Sequence, residues 1–271
     1  MTQPQIPMFH SLAQAIADHG TDTLFGLMGD ANLFMVDHYV RGCGGRFVPA
    51  AHEGSCVLMA LAYAYVSDRV GVATITHGPA LTNCMTALTE GARGNQPMVL
   101  LAGDTPVSNP RHLQSIDQRA VVRATGAGFE QLRSPETASA DLARAFYRAR
   151  VERRPIVLNV PADFMWQNVV HHTRVLNVFD SPGAPAHSDV MDQAVGMLAS
   201  ARRPLILAGG GAIGARAQIL RLAERLQAPV ATTLKAKGLF TGHPQNMDIF
   251  GTLSTPAAYE VIAKADCVLC F

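Results

Sequence analysis

Short, continuous apolar runs alternate along this chain with longer stretches of helical period, and no other feature restricts its fold as much. Thr23–Leu27, Arg46–Ala50, Val70–Thr76, Met98–Ala102 and Ile156–Val160 read as strands, while Phe9–His19, Gly54–Tyr65, Leu81–Arg93 and Ala138–Val151 read as amphipathic helices. A run such as Val99-Leu100-Leu101-Ala102 has no polar face, so it needs burial on both sides. A parallel sheet wrapped by helices supplies that burial; an antiparallel sheet with one wet face does not. The expected fold class is therefore α/β, a doubly wound parallel sheet. Ligands of such sheets sit beyond the carboxyl ends of the strands, which directs attention to Met28-Gly29-Asp30, His52-Glu53-Gly54, His77-Gly78-Pro79 and Gly103-Asp104-Thr105.

A length of 271 residues suggests one and a half to two domains. The stretch Val178–Asp189, with Ser181-Pro182-Gly183-Ala184-Pro185, has no period and reads as a linker. A second α/β unit follows, with helices at Val190–Ala199 and Arg216–Leu226 and strands at Pro204–Ala208 and Pro229–Thr232. Cys267-Val268-Leu269-Cys270-Phe271 reads as a buried strand, an uncommon place for a natural chain to stop, so the sequence is expected to be a fragment. The domain scheme is residues 1–172, a linker over 173–189, and an incomplete second domain over 190–271.

Charge excludes several functions. Lys+Arg 22 against Asp+Glu 21 leaves +1, and no run of like charge stands out, so neither nucleic acid nor a membrane surface is an expected partner. No apolar stretch is long enough to span a bilayer, and Met1–Pro7 lacks the features of a signal peptide, which gives a cytoplasmic location as the expectation. The five cysteines, Cys43, Cys56, Cys84, Cys267 and Cys270, lie mostly in apolar segments and read as reduced core thiols. Cys267 and Cys270 form a C-x-x-C, but no second pair completes a zinc site, and no metal site is expected in this chain.

Glu53 opens a helix after a strand, where an acid interacts with the helix dipole for about 0.3–1 kcal/mol. That explanation suffices for Glu53 taken alone. Other strand ends carry Phe25-Gly26-Leu27-Met28-Gly29, Gly78-Pro79-Ala80-Leu81-Thr82-Asn83, Gly103-Asp104-Thr105-Pro106, Leu113-Gln114-Ser115-Ile116-Asp117 and Pro155-Ile156 through Pro161-Ala162-Asp163. In order and spacing these elements, with His52-Glu53, make the chain resemble the thiamine-diphosphate-dependent decarboxylase and carboligase superfamily, its acetolactate-synthase-like branch in particular. The resemblance covers nearly the whole chain.

The resemblance implies that residues 1–172 grip the aminopyrimidine ring of thiamine diphosphate and that Glu53 bonds its N1′ nitrogen. A carboxylic acid there favours the imino tautomer, whose nitrogen takes the C2 proton and leaves an ylide that attacks a 2-oxo acid. Such an acid needs a dry pocket and a raised pKa, which the apolar flanks Phe47-Val48-Pro49-Ala50-Ala51 and Cys56-Val57-Leu58 could supply. Gly29, Asp30, Pro79 and Asn83 are the further cofactor-binding candidates. Gly29 lets backbone approach a ligand, and Asn83 has the alternative of a helix-start or core amide. His77 and Gln114 are the further catalytic candidates. His77 could shuttle a proton or orient a carbonyl, or be a helix-start histidine bonded locally; Gln114 matches a family position facing the reactive end of the cofactor. Ala80, Asp30 and His77 depart from the family pattern, and bear on substrate choice.

Gly209-Gly210-Gly211-Ala212-Ile213-Gly214 fits G-x-G-x-x-G between a strand and a helix. About twenty residues on, the next strand runs into Thr232-Thr233-Leu234 with no acid for a ribose hydroxyl. The run belongs, by resemblance, to a truncated Rossmann-like central domain that holds FAD, an ADP group or nothing. The family anchors its diphosphate and Mg²⁺ through Gly-Asp-Gly, absent from this chain, so Mg²⁺ ligands are expected in a C-terminal domain outside it. The expected function is acetolactate-synthase-like decarboxylation and carboligation of a 2-oxo acid by a homodimer or homotetramer. Alternatives are a simple 2-oxo acid decarboxylase, a C–C hydrolase, a flavin or nicotinamide oxidoreductase, and a subunit supplying only the pyrimidine-binding half.

Overall fold

A computed structural model describes residues 4–109, 111–177 and 187–271. The chain divides into two compact units, Met1–Asp180 and Ser181–Phe271. Most of the stretch expected to be a linker, residues 178–186, lies outside the described residues. Ser188 and Asp189, from its other end, already belong to a helix.

The first unit begins with β1 (Gln5–Pro7), α1 (Met8–Asp18), β2 (Thr23–Gly26), α2 (Leu33–Arg41), β3 (Arg46–Pro49) and α3 (Glu53–Ser67). It continues through β4 (Gly71–Ile75), α4 (Pro79–Thr82), α5 (Met85–Arg93), β5 (Met98–Asp104), α6 (Gln118–Ala124) and β6 (Gly128–Gln131). It closes with α7 (Ala138–Glu152), β7 (Pro155–Pro161) and β8 (Asn168–Val170), the last antiparallel to β1. Six strands form one parallel sheet in the order β3-β2-β4-β5-β7-β6. Its central strands are buried on both faces, as their unbroken apolar runs require. Val99 and Leu101 pack with Ile16, Leu142 and Phe146 on one face; Leu100 and Ala102 pack with Leu61, Leu81 and Leu88 on the other. The chain leaves β2 for β3, then returns to β4 on the opposite side of β2, so the crevice between the carboxyl ends of β2 and β4 is a topological switch point.

The second unit holds α8 (Ser188–Ser200), β9 (Pro204–Ala208), α9 (Arg216–Leu226), β10 (Val230–Thr232), β11 (Asn246–Ile249), α10 (Pro256–Ala263) and β12 (Cys267–Cys270). Four parallel strands, ordered β11-β10-β9-β12, share a small core with Ile219, Ala223 and Phe240. No helix among the described residues is long and apolar enough to cross a membrane.

Three sequence expectations change. The single helix over Leu81–Arg93 is two helices, because Cys84 N–H reaches back only to Leu81 O (3.0 Å), a tighter turn that interrupts the α ladder. The strand over Cys267–Phe271 is not buried: among the described residues β12 pairs only with β9, and Val268 is 43% exposed. Only Cys56 and Cys84 are core thiols, since Cys43 and Cys267 are half-buried and Cys270 is exposed.

The first unit is also held by a buried carboxylate in the first turn of α7. Asp141 accepts from Arg133 N (3.0 Å) and Nε (3.0 Å), Thr137 Oγ1 (2.7 Å) and Arg144 Nη2 (2.9 Å). Burial would raise its pKa, but these bonds outweigh that and hold it below the ordinary value of 3.8. A depressed folded-state value means the stabilisation is present above the unfolded pKa of about 3.9 and is lost as pH falls from there through the lower folded-state value. Asp141→Ala is expected to lose about 3 kcal/mol at neutral pH and to show a shallower decline in urea stability below about pH 4.

Candidate functional site

His52 is the extended N-cap of α3, and its Nδ1 accepts the Gly54 N–H at 3.1 Å. That cap makes Glu53 the first residue of the helix. Across the sheet end, the interruption between α4 and α5 turns Asn83 outward, and its Nδ2 donates to Glu53 Oε2 at 2.8 Å. Gly54 permits the approach, since a Cβ there would lie 2.9 Å from Asn83 O. Glu53 Oε1 has no hydrogen-bond partner among the described residues. The two residues singled out separately thus form one polar unit with an oxygen to spare.

The apolar flanks expected to enclose Glu53 do not do so. Cys56 and Val57 point into the core, whereas Ala51, Leu58, Pro79, Thr82 and Asn83 are exposed and Glu53 itself is half-buried. The first unit therefore presents an open face, not a closed pocket. Burial, with a contribution from Glu53, pushes the Cys56 thiol up to about 11, and burial also raises Cys84. Both thiols stay protonated and unreactive at neutral pH.

A second group gathers at the switch point. Asn32 shapes the loop after β2: its Oδ1 accepts Gly29 N–H (2.8 Å), and its Nδ2 donates to Leu27 O (3.1 Å) and Thr74 Oγ1 (3.2 Å). Gly29 is needed for packing, because a Cβ would lie 2.8 Å from Thr76 Cβ. Thr76 Oγ1 donates to Asp30 Oδ1 at 2.8 Å and lies 3.1 Å from His77 Nδ1. A hydroxyl has one proton, so Thr76 must accept from His77 Nδ1–H, which leaves Nε2 as the ring nitrogen free to meet a ligand. His77 is 1% exposed, and Nε2 has no partner among the described residues. A buried polar atom without a partner costs about 1–3 kcal/mol, which marks His77 Nε2 as an atom that a bound ligand would pair.

Gln114 and Gly78 meet through backbone. Gly78 has φ +62°, and a Cβ there would collide with the Gln114 carbonyl. The half-buried Gln114 amide makes no side-chain hydrogen bond among the described residues, while its N–H donates to His112 Nδ1 at 3.3 Å. Beneath the turn lies Gln118, which the sequence reading missed. Its Oε1 accepts Gly78 N–H (2.8 Å), and its Nε2 donates to Gly103 O (2.9 Å) and to Asn159 Oδ1. Asn159 in turn donates to Asp104 Oδ2 (2.6 Å) and Gln131 Oε1 (2.9 Å). Asp117 caps α6 through Ala120 N–H (2.9 Å), and Asp163 accepts from Val107 N–H (3.2 Å). Of these bonds, the one from Gly78 N–H to Gln118 holds the turn that carries His77 and leads to Asn83.

A carboxylate with one free oxygen, beside an amide, suits an aminopyrimidine, which offers both donors and an acceptor ring nitrogen. Among the described residues no group of three or more His, Cys, Asp or Glu could hold a metal.

Residues 8–121 match the family described as thiamine pyrophosphate enzyme, N-terminal TPP binding domain. Residues 191–271 match thiamine pyrophosphate enzyme, central domain. The chain belongs to the thiamine pyrophosphate enzymes. Among its relatives, a sulfoacetaldehyde acetyltransferase of Rhodobacter capsulatus is 32% identical over 96% of this chain and 44% of its own length. A probable 2-ketoarginine decarboxylase of Pseudomonas aeruginosa is 32% identical over 98% of the chain and 49% of its own. An acetolactate synthase of Mycobacterium bovis is 29% identical over 98% and 44%. The chain spans about half the length of the curated relatives it matches.

Proposed function

We propose that the protein uses thiamine diphosphate to decarboxylate a 2-oxo acid and join the remaining acyl carbon to a second carbonyl, as an acetolactate synthase does. The observation that carries this reading is the Glu53–Asn83 unit with its free Oε1. When bound, the cofactor supplies a carbon nucleophile and an electron sink. Glu53 would hold and share a proton at the ring nitrogen, Asn83 would keep that carboxylate in register, and Gly29, Asp30 and Pro79 would border the ring. Because Glu53 stands on an open face, a second subunit would be needed to exclude water, which is why a homodimer or homotetramer belongs to the proposal. Mg²⁺ would bind through residues outside those described. FAD in the second unit is part of the proposal only in that Gly210, Gly211 and Gly214 leave open space at the end of β9, and flavin absorbance of the purified protein tests it.

The direct experiment is titration of the full-length protein with thiamine diphosphate and Mg²⁺, followed by pyruvate turnover and product analysis. Acetolactate supports the reading; saturable cofactor binding without turnover of pyruvate overturns the substrate, and no binding overturns the whole. A second reading, plain decarboxylation, is favoured by His77. Its buried, unpartnered Nε2, after taking up a proton from solvent, would be placed to deliver it to the product carbon. His77→Phe is expected to lower aldehyde formation by about 10²-fold under that reading while leaving cofactor affinity within threefold. An unchanged aldehyde rate leaves His77 with its local Thr76 bond only.

A further inference from the structure

Four arginines line a second cleft, of about 280 Å³, where β6 and β7 begin. It lies at the amino ends of these strands, whereas Glu53 and His77 stand beyond the carboxyl ends of β3 and β4. Two of its cations are met by carboxylates. Arg148 reaches Glu130 Oε1 at 2.7 Å and, with Arg154, Glu152; Arg154 also donates to Gly126 O at 3.0 Å. Arg119 and Arg123 have neither a carboxylate nor a hydrogen-bond partner among the described residues. Arg119 lies over the Phe129 ring, its Cζ 4.5 Å from the centroid. The two are four residues apart on α6, so they are neighbours on one face, where like charges repel. Arg123, in the last turn of α6, is favoured by the helix dipole. Arg119 is one turn too early for that explanation.

We propose that this cleft binds the phosphate or diphosphate group of a small soluble molecule. Arg119 and Arg123 supply two unmatched guanidinium forks, whose geometry suits tetrahedral oxyanions. The Arg148–Glu152–Arg154 ion pairs hold the other two arginines of the lining in place. The cleft has room for one such group, and a chain with a net charge of +1 has no wider field to hold a polyanion.

The test is calorimetric titration of the protein at low salt with inorganic phosphate and with pyrophosphate, in the absence of Mg²⁺. Wild type is expected to show saturable one-to-one binding, weakened at least tenfold in Arg119→Gln with Arg123→Gln and retained in Glu53→Gln. The lysine pair Arg119→Lys with Arg123→Lys keeps the charge but not the forks, and is expected to fall between. Absence of saturable binding in wild type, or equal affinity in the glutamine pair, overturns the site. Binding to phosphatidic acid vesicles that free phosphate does not displace overturns a soluble ligand. Because Glu53→Gln is carried alongside, failure here and failure of the thiamine diphosphate reading remain separable.

Discussion

Glu53→Gln is expected to leave the protein folded and to lower turnover by about 10²–10⁴-fold. Glutamine has the shape of glutamate, and its carbonyl oxygen can accept the Asn83 Nδ2 bond that Glu53 Oε2 accepts at 2.8 Å. What it loses is the ability to hold and release a proton. Stability should therefore change by no more than about 0.5 kcal/mol, as for a surface substitution. If Glu53 served only the dipole of α3, the same change would cost a few tenths of a kcal/mol and leave turnover intact. Deuterium exchange at C2 of the bound cofactor separates the two roles without any assumption about substrate. Wild-type exchange in the variant would remove Glu53 from the chemistry. Asn83→Ala is the companion: it deletes the register bond but keeps the acid, so a smaller loss is expected, about tenfold for a neutral-to-charged hydrogen bond worth 1.5 kcal/mol or so.

How far the sequence discloses such a site depends on where the partners lie. Strands β5 and β7 are legible because both faces are buried, so Met98–Ala102 and Ile156–Val160 contain no polar interruption beyond Asn159. β6 is not, since it is an edge strand of mixed residues, Gly128-Phe129-Glu130-Gln131, with Glu130 meeting Arg144 and Arg148. α2 escapes for a related reason: three of its residues, Met35, Val36 and Tyr39, are buried, too few to impose a clear period on Leu33–Arg41. Glu53, Asn83, His77 and Gly29 could each be singled out from strand ends, but not the Glu53–Asn83 bond, whose partners are 30 residues apart. The dry pocket inferred around Glu53 fails because neighbouring apolar residues in a sequence need not face the same way. Cys56 and Val57, near the start of α3, turn to the core instead.

Gln118→Leu is expected to cost about 2–4 kcal/mol, because it removes a hub whose partners cannot find replacements in the interior. Its three partners lie 40, 15 and 41 residues away in sequence, which is why no local pattern disclosed it. Leucine fills a similar volume, so the loss would come from the stranded Gly78 N–H and Gly103 C=O and not from a cavity. Gly78, at φ +62°, leads into Pro79 and the turn that carries Asn83. Loosening that turn should move Asn83 away from Glu53 and weaken cofactor binding, although Gln118 touches neither residue. The distinguishing readout is a set of two measurements. A purely structural role lowers urea stability and leaves the cofactor dissociation constant of the folded fraction unchanged, whereas a positioning role raises that constant at temperatures well below the unfolding transition. Gln118→Glu sharpens the contrast: its carboxylate can still accept the Gly78 N–H, but it meets Gly103 O and Asn159 Oδ1 with no donor unless it takes up a proton. Folding of that variant is therefore coupled to protonation, its folded-state pKa lies above the unfolded value of about 4.3, and its stability should rise as pH falls from 7 towards 5. Wild type, whose amide does not titrate, should lack that rise, and a Gln118→Glu protein with a wild-type pH profile would show that the hub does not hold the turn.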